Sequence, residues 1–269
     1  MTSAELACLD GRVMPAVEAT IPVTDDGLVR GDGVFEVIRV YDGRPFALTE
    51  HLDRLGRSAA NLKLGYEVPR TELEAEVPDL VERTGGRAFD GAVRIMLTRG
   101  GRRIVLTELL EPPLETARVG FVTYAPSRIL DGVKSLSYAA NMLAGRLAKE
   151  RGFDEALLVT PHGRVLEAPT ASIFWVAPDG ELCTPPLGEH ILASITRDAL
   201  VRLLGVSERA VTSDEILGAR EAFLASTTRE VQAVSAIEDR ELEAPGERTR
   251  EAAAAIAAHI REALAAGAR

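Results

Sequence analysis

The stretch that decides the fold runs from Lys134 to Phe174, with a lysine at its start and a glutamate near its end. It begins with Lys134-Ser135-Leu136-Ser137-Tyr138-Ala139-Ala140-Asn141, and a run of helical composition follows to Gly152. After a short strand and a Pro-His-Gly turn, it ends with Val165-Leu166-Glu167-Ala168-Pro169-Thr170-Ala171-Ser172-Ile173-Phe174. A lone lysine or glutamate is most often a solvated surface residue. The other segments of the chain must therefore decide whether Lys134 and Glu167 carry chemistry.

The composition is that of an ordinary soluble globular protein. Of 269 residues, 46% are hydrophobic and 27% are charged. This length suffices for one large domain or two modest ones. The formal net charge of -10 argues against nucleic acid as a partner, because phosphate binding needs a basic face.

The sequence indicates no targeting or membrane-spanning segment. Its start lacks a basic segment followed by an apolar run, and no apolar stretch approaches the length that spans a bilayer. Cys8 and Cys183 stand in no metal-binding or CxxC spacing, so buried thiols are their simplest interpretation. We therefore expect a cytoplasmic protein with no membrane partner.

Strand and helix patterns are mixed without strict alternation. Residues 33–41, 93–98 and 117–124 have the composition of strands, and residues 139–151 that of a helix. A further helix is predicted from Thr71, and Pro78 is expected to kink or end it because proline lacks the amide proton. The mixture favours an α+β fold. We expect a smaller N-terminal domain over residues 1–120, a connection at 121–126 and a larger C-terminal domain over 127–269.

Five segments occur in the order in which the class IV aminotransferases carry them, and Gly31-Asp32-Gly33-Val34-Phe35-Glu36 precedes them. They are His51-Leu52-Asp53-Arg54-Leu55, the lysine and glutamate segments above, Ser194-Ile195-Thr196-Arg197-Asp198, and Ser226-Thr227-Thr228-Arg229-Glu230-Val231. The chain therefore resembles this family along nearly its whole length. The resemblance implies the two-domain α+β fold type IV of the D-amino-acid and branched-chain aminotransferases, with pyridoxal 5'-phosphate as the cofactor.

The resemblance also assigns chemistry to the lysine and glutamate segments. Lys134 would form a Schiff base with the cofactor's aldehyde and would carry a proton once the substrate displaces it. Glu167 would keep the pyridine nitrogen protonated, which makes the ring an electron sink. Tyr138 corresponds to a tyrosine that hydrogen-bonds the cofactor's phenolic oxygen. Pro169 stands where relatives often have a small residue, a departure that alters the loop and leaves the glutamate in place.

Binding the cofactor's phosphate needs a cation and backbone donors, best supplied by an arginine and a helix N-terminus. The resemblance assigns the arginine to Arg54. It assigns the backbone amides to Ile195 and Thr196, together with the Thr196 hydroxyl. Thr227 is expected to give one more phosphate contact.

The motifs favour one of several reactions that share this cofactor. Residues 31–43 and 226–231 most resemble the D-amino-acid group. We expect a transaminase that exchanges an amino group between a D-amino acid, or an (R)-amine, and a 2-oxo acid. The alternatives are aminodeoxychorismate lyase, which yields 4-aminobenzoate and pyruvate, and the L-branched-chain transaminase. Lyases tend to carry threonines at the positions of Glu36 and Val37, which argues mildly against lyase chemistry.

The site for the substrate carboxylate departs from the D-amino-acid pattern. Those enzymes have a tyrosine at the position of Phe35 and an Arg-x-His in the loop that follows Thr98, whereas this loop has no histidine. The candidates for substrate contact are Phe35, Thr228 and an arginine of the loop, namely Arg99, Arg102 or Arg103. A solvated basic loop is the equal alternative for these arginines. Because family members complete each pocket with a loop from a partner, we expect a homodimer.

The sequence indicates no metal site. The histidines outside the motifs, His162, His190 and His259, lie in a turn, a loop and a tail helix. They form no cluster with metal-ligand spacing. We interpret them as structural or solvated.

Overall fold

The computed structural model describes residues 5–266, which form two compact units. The first comprises residues 5–111, 132–138 and 263–266, and the second comprises residues 112–131 and 139–262. The first unit thus takes in Gly132–Tyr138, which holds Lys134, and its main segment ends at Glu111 rather than near residue 120. The segment Gly132–Tyr138 belongs to the first unit because its backbone is hydrogen-bonded to Gly33 and Phe35 of that unit. Residues 1–4 and 267–269 of the expected domains lie outside the described residues.

An antiparallel sheet is the base of the first unit. Its strands are β1 (Leu6–Leu9), β2 (Arg12–Pro15), β3 (Gly33–Tyr41), β4 (Arg44–Pro45), β5 (Gly91–Thr98) and β6 (Arg103–Glu108). Their spatial order is β2-β1-β6-β5-β3-β4. Side chains alternate between the two faces of a strand, so Val34, Ile38 and Val40 of β3 share one buried face. Glu36 has the same parity and lies on that face too.

Helices α2 (Leu48–Asn61) and α3 (Arg70–Thr84) pack on this buried face, and the short α1 (Asp26–Arg30) precedes β3. Of the two expected effects of Pro78, a kink or an end of the helix, the end is wrong, since α3 continues for six residues beyond it to Thr84. Leu73, Val77 and Leu80 of α3 are fully buried in the core. Burial stabilises by about 1.5–3 kcal/mol for each such side chain. Together these outweigh the roughly 3 kcal/mol that an interior proline costs.

A mixed sheet is the base of the second unit. Its strands are β7 (Thr116–Thr123), β8 (Glu155–Val159), β9 (Ser172–Val176), β10 (Leu182–Thr184), β11 (Ser207–Glu208), β12 (Glu221–Ser226), β13 (Glu230–Ile237) and β14 (Arg240–Glu241). The spatial order is β11-β10-β9-β12-β13-β7-β8, with β14 paired to β13. β7 runs parallel to both β13 and β8, and β10 runs parallel to β11. The other pairs are antiparallel.

The remaining α-helices of the described residues are α4 (Ala139–Glu150), α5 (Ile195–Leu204), α6 (Ser213–Ile216) and α7 (Glu247–Ala266), and short 3-10 helices lie at Ala16–Glu18, Gly86–Ala88, Arg128–Leu130 and Leu187–Glu189. The core of the sheet is apolar, with Ile173, Trp175 and Leu224 buried within it. A second cluster packs Ala144 and Ala148 of α4 against β8. With helices and mostly antiparallel sheets in both units, the α+β fold class is confirmed. Within residues 5–266, no helix combines the length and the apolar character needed to cross a bilayer.

Candidate active site

Lys134 is fixed by backbone hydrogen bonds on both sides. The Phe35 amide donates to the Lys134 carbonyl at 3.0 Å, and the Leu136 amide donates to the Gly33 carbonyl at 2.9 Å. The Lys134 amide donates to the Ser58 hydroxyl of α2 at 3.1 Å. The segment therefore pairs with the start of β3 through a short antiparallel bridge. This pairing fixes the direction in which the lysine side chain leaves the backbone.

The Lys134 amine lies against two aromatic rings. Its Nζ is 4.3 Å from the centroid of the Phe35 ring and 5.8 Å from that of Tyr138. The two rings meet edge to face, with centroids 5.3 Å apart. Cation–π attraction of about 0.5–2 kcal/mol favours this position of the ammonium group. Sequence reasoning assigned Lys134, Phe35 and Tyr138 to one site, and the structure brings these three together.

Arg54 is held in the interior of the first unit by Glu36. Its Nε and Nη2 donate to the two carboxylate oxygens of Glu36, each at 2.7 Å, and only 5% of Arg54 and 0% of Glu36 are exposed. His51 Nδ1 lies 2.7 Å from the same carboxylate. Burial alone would raise the pKa of Glu36, but the hydrogen bonds and charge of Arg54, then those of His51, lower its pKa to about 2. Glu36 is therefore a permanent counter-ion for Arg54.

His51 completes this buried cluster in its neutral form. Burial lowers its pKa, against the opposing effect of Glu36. Since Nδ1 lies against a carboxylate, it carries the proton and donates it. Nε2 is buried and has no hydrogen-bond partner among the described residues. Glu36 and His51 appear in the sequence motifs, but the sequence analysis assigned neither a role. The pattern that could have found them is a glutamate on the buried face of a strand together with a His-x-x-Arg on the helix that covers that face.

Arg94 of β5 is a cation that sequence reasoning missed. β3 and β5 place Val37 opposite Arg94, so Arg94 projects from the same face as Phe35. Its guanidinium carbon is 5.5 Å from the Phe35 ring centroid. Glu108 of β6 accepts from its Nε at 2.6 Å and its Nη2 at 3.0 Å. Arg94 is 31% exposed and Glu108 23%. Only the strand register could have located Arg94 near Phe35.

The three loop arginines named above each pair with a carboxylate of their own unit. Arg99 binds Asp32 at 2.5 Å, Arg102 binds Asp10 at 2.7 Å, and Arg103 binds Glu76 at 2.6 Å. The Arg99 guanidinium also donates to the carbonyls of residues 62–64 at the end of α2. These contacts give the loop arginines a structural role in the first unit. Their role in substrate binding stays a hypothesis.

Glu167 lies on a hairpin of the second unit. Its carbonyl accepts from the Leu158 amide, and the Leu166 amide donates to the Leu158 carbonyl, both at 2.9 Å. The Leu192 amide donates to Glu167 Oε1 at 3.2 Å. Burial, and then the charge of Glu167, raise the pKa of Tyr124. Tyr124 therefore lies near this carboxylate, a neighbour that sequence reasoning did not find.

The N-terminus of α5 presents two backbone amides suited to an anion. The Ser194 hydroxyl caps the helix by accepting from the Arg197 amide at 3.3 Å. The Ile195 and Thr196 amides belong to the first turn and have no acceptor within the helix. The helix dipole adds partial positive charge at this end. Thr196 is buried at this end of the helix.

Thr227 and Thr228 lie half-buried in the turn between β12 and β13. Arg229 of the same turn contacts Glu155 of β8, and its Nη2 donates to the Thr170 hydroxyl at 3.1 Å. Because Thr170 follows Glu167 by three residues, Arg229 joins the threonine turn to the glutamate hairpin within the second unit.

The donor set fits pyridoxal phosphate. In the first unit, Lys134 has the amine that would meet its aldehyde, and Arg54 is a cation of the kind that its phosphate needs. In the second unit, the start of α5 has amides suited to a phosphate, and Glu167 is a carboxylate of the kind that its ring nitrogen needs. No residue in these positions is of the wrong chemical kind for the group.

Known proteins agree with this interpretation. The family model "Amino-transferase class IV" matches residues 33–237. A D-alanine aminotransferase of Bacillus licheniformis is 33% identical, over 92% of this chain and 94% of its own. The fold IV transaminase CpuTA1 of Curtobacterium pusillum is 30% identical, with a TM-score of 0.84 over 93% of this chain and 98% of its own. A branched-chain aminotransferase of Thermoproteus uzoniensis is also 30% identical, with a TM-score of 0.84 over 92% of each chain. This chain belongs to the class IV aminotransferases, which depend on pyridoxal phosphate.

Proposed function

We propose that the chain is a transaminase that moves an amino group between a D-amino acid, or an (R)-amine, and a 2-oxo acid, with Lys134 as the catalytic residue. Pyridoxal phosphate, when bound, supplies the electron sink for the charge left at the substrate's α-carbon. Lys134 Nζ would hold the cofactor at its aldehyde carbon until the substrate's amine displaces it. The freed amine would then move the proton from the substrate's α-carbon to the cofactor's C4′ carbon.

The other proposed residues bind or tune the cofactor. Arg54 binds the phosphate, as do the Ile195 and Thr196 amides with the Thr196 hydroxyl, and Thr227 adds a contact. Glu167 holds a proton on the pyridine nitrogen. Tyr138 donates to the phenolic oxygen, for which its place beside Lys134 is suited.

The observation that carries the proposal is the alignment of Lys134, Phe35 and Arg94 in the first unit. The Lys134 amine lies 4.3 Å and the Arg94 guanidinium carbon 5.5 Å from the centroid of one ring. An amino acid carries a carboxylate next to the carbon that loses its proton. A guanidinium at the same ring as the proposed catalytic amine supports a substrate of this kind. Because Arg94 Nε and Nη2 donate to Glu108, the proposal gives the substrate carboxylate to the Nη1 side of the guanidinium.

The preference for the D configuration rests on likeness alone. The D-alanine aminotransferase relative and the motifs at residues 31–43 and 226–231 support it. The L-branched-chain reaction is the second candidate, supported by the Thermoproteus uzoniensis relative and by the apolar, half-buried Val37 and Met96 on the same sheet face as Phe35. Lyase chemistry is the third candidate. It is disfavoured because Glu36, which pairs with Arg54, stands at a position where lyases tend to carry threonine.

The half-reaction separates these functions. Holoenzyme is mixed with D-alanine, D-glutamate, L-leucine or (R)-1-phenylethylamine, one at a time, and the loss of the cofactor's absorbance near its visible maximum is followed. Rapid loss with a D-amino acid or the (R)-amine is expected. Loss with L-leucine alone would establish the branched-chain reaction. If none of the donors changes the bound cofactor, the enzyme is tested with aminodeoxychorismate as a lyase.

The role of Lys134 is tested against a matched lysine. The chain has three lysines, Lys63, Lys134 and Lys149. Lys134→Ala is expected to abolish turnover with every donor while the protein stays folded, and Lys149→Ala, on the exposed side of α4, is expected to match the wild type. Equal turnover of both variants would overturn the assignment.

We also propose that the enzyme is a homodimer. On α1 of the first unit, Leu28 and Val29 are each more than half exposed, and on α4 of the second unit Leu143 and Leu147 are 49% and 40% exposed. Large apolar side chains grouped on the surface are typical of an interface. A mass of two chains is expected by light scattering, and Leu143→Asp combined with Leu147→Asp is expected to reduce it to one. A wild type that is monomeric at micromolar concentration would contradict this.

A further inference from the structure

Residues 187–192 form a loop between β10 and α5 that reaches two parts of the proposed cofactor site. The Leu192 amide donates to Glu167 Oε1 at 3.2 Å. Two residues later, Ser194 caps α5 and so fixes the helix end that begins with Ile195 and Thr196. Any displacement of this loop therefore moves both the carboxylate contact and the proposed phosphate-binding amides.

His190 ties this loop to the segment 128–131. Its Nδ1 lies 2.5 Å from Asp131 Oδ2, and its Nε2 lies 2.8 Å from Arg128 Nη2 and 3.1 Å from Arg128 Nε. A guanidinium can only donate hydrogen bonds, so Nε2 is the unprotonated nitrogen and Nδ1 carries the proton given to Asp131. The neutral imidazole thus uses one donor and one acceptor at once, which neither an ammonium nor a carboxylate could do.

Two other contacts hold the loop on its remaining sides. Glu189 pairs with Arg164 at 2.6 Å, and Ile191 is buried against Leu158 and Leu166. Glu189 and Ile191 thus contact Arg164, Leu158 and Leu166, whereas His190 contacts the segment 128–131. In the sequence, Asp131 precedes Lys134 by three residues. His190 therefore joins the chain leading to the catalytic lysine with the loop that serves Glu167 and α5.

We propose that His190 is a positioning residue of the aminotransferase. Its hydrogen bonds to Asp131 and Arg128 keep the Leu192 amide on Glu167 and keep the start of α5 in place, and they thereby slow the loss of the cofactor. The inference rests on the proposed roles of Glu167, Ile195 and Thr196. It replaces the interpretation of His190 as a merely structural or solvated histidine.

The test compares three holoenzyme variants. His190→Leu removes the hydrogen bonds to both partners, Asp131 and Arg128, whereas His190→Gln keeps a donor and an acceptor in one side chain. His162→Leu, in the exposed Pro161–Gly163 turn, is the control. The rate of cofactor release on dilution is the main measurement. Losing these partly exposed hydrogen bonds to Asp131 and Arg128 is expected to make cofactor release about tenfold faster in His190→Leu. His190→Gln and His162→Leu are expected to stay within about twofold of the wild type.

A spectroscopic measurement separates positioning from general loosening. The pH midpoint at which the bound cofactor's absorbance changes reports on the charge around the cofactor. His190→Leu is expected to shift this midpoint, because Glu167 loses a fixed donor, and the His162→Leu midpoint is expected to stay unchanged. Asp131→Asn, which weakens the same contact from the other side, is expected to shift it in the same direction, and combining it with His190→Leu is expected to add little.

The result that would overturn the proposal is a His190→Leu holoenzyme that releases the cofactor at the wild-type rate with an unchanged absorbance midpoint. Should His190→Leu fail to fold, Asp131→Asn alone decides by the same two measurements. Failure of the proposed substrate would appear in the wild-type half-reaction and would leave these comparisons intact. Failure of the Glu167 assignment would appear as a Glu167→Gln holoenzyme with the wild-type absorbance midpoint.

Discussion

Two glutamates of this chain show how the same side chain takes two different roles. Glu36 is fully buried and accepts three hydrogen bonds from the side chains of Arg54 and His51, which lower its pKa to about 2. Glu167 is half-buried, accepts from the backbone amide of Leu192 and lies near Tyr124. The first is a counter-ion that organises the interior of its unit. The second lies on a hairpin and is the carboxylate that we propose for the cofactor's ring nitrogen.

Glu36→Gln is expected to give the largest effect on stability. It leaves the Arg54 guanidinium buried without its counter-charge, and breaking a buried ion pair in this way costs about 3–5 kcal/mol. Urea unfolding of the protein without cofactor measures the loss. Glu108→Gln is the control, because its partner Arg94 is about one-third exposed and such a pair is worth less than about 1 kcal/mol. Equal stability of the two variants would contradict the account of Glu36.

The stability contributed by Glu36 is expected to depend on pH. Its folded pKa is lowered from 4.5 to about 2, so its contribution is present above pH 4.5 and is lost as the pH falls from 4.5 towards 2. At about 1.4 kcal/mol for each pKa unit, this amounts to roughly 3 kcal/mol. The lowered pKa of His51 acts in the same direction, since the unfolded histidine takes up a proton first as the pH falls below 6.5. The gap in unfolding free energy between the wild type and Glu36→Gln should therefore narrow between pH 5 and 3. A constant gap would show that Glu36 is not the group responsible.

Glu167→Gln is expected to separate activity from stability. Loss of the carboxylate charge proposed for the cofactor's ring nitrogen is expected to lower turnover about 100-fold. The unfolding free energy is expected to change by less than about 1 kcal/mol, because Glu167 is half-buried and glutamine has nearly the same shape. Steady-state turnover and urea unfolding are measured together. Glu150→Gln, at the exposed end of α4, is the control. A Glu167 variant with wild-type turnover would remove it from the site.

The smallest effects are expected for Arg94 of β5 and for the three loop arginines. Arg94→Ala should raise the Michaelis constant of the amino acid about tenfold, since a hydrogen bond between charged groups is worth about 1.5–3 kcal/mol. Arg99→Ala, Arg102→Ala and Arg103→Ala should each leave it within about twofold, because their guanidinium groups hold Asp32, Asp10 and Glu76 of the first unit and the proposal gives the substrate carboxylate to Arg94. Steady-state kinetics with the best donor measures all four. A tenfold rise for a loop arginine would restore it as the carboxylate-binding residue.

The sequence predicted those features of the site that depend on residues close together in the chain. The lysine segment leading into α4, the glutamate hairpin and the Ser-capped start of α5 were each predicted from a few consecutive residues, since local turn and capping chemistry determines them. The α+β class followed from the mixture of strand and helix patterns. The structure shows Lys134, Phe35 and Tyr138 as neighbours, as the motifs implied.

The features that the sequence did not reveal depend on tertiary contacts. Glu36 and Arg54 are eighteen residues apart, and only the packing of α2 on β3 makes them partners. Arg94 lies beside Phe35 because of the β3–β5 register, which no local pattern encodes. The packing of Leu73, Val77 and Leu80 overrides the local preference of Pro78. His190 acquires its partners from a segment fifty-nine residues away.

Chemical trapping of the cofactor tests the central assignment most directly. Borohydride reduction of the holoenzyme fixes the cofactor on the amine that binds it, and peptide mass mapping then identifies the lysine. With three lysines in the chain, the outcome is unambiguous. We expect the mass of the pyridoxyl phosphate group on the peptide that contains Lys134. Its attachment to Lys63 or Lys149, or the absence of any labelled lysine in a protein that binds the cofactor, would contradict the assignment of Lys134.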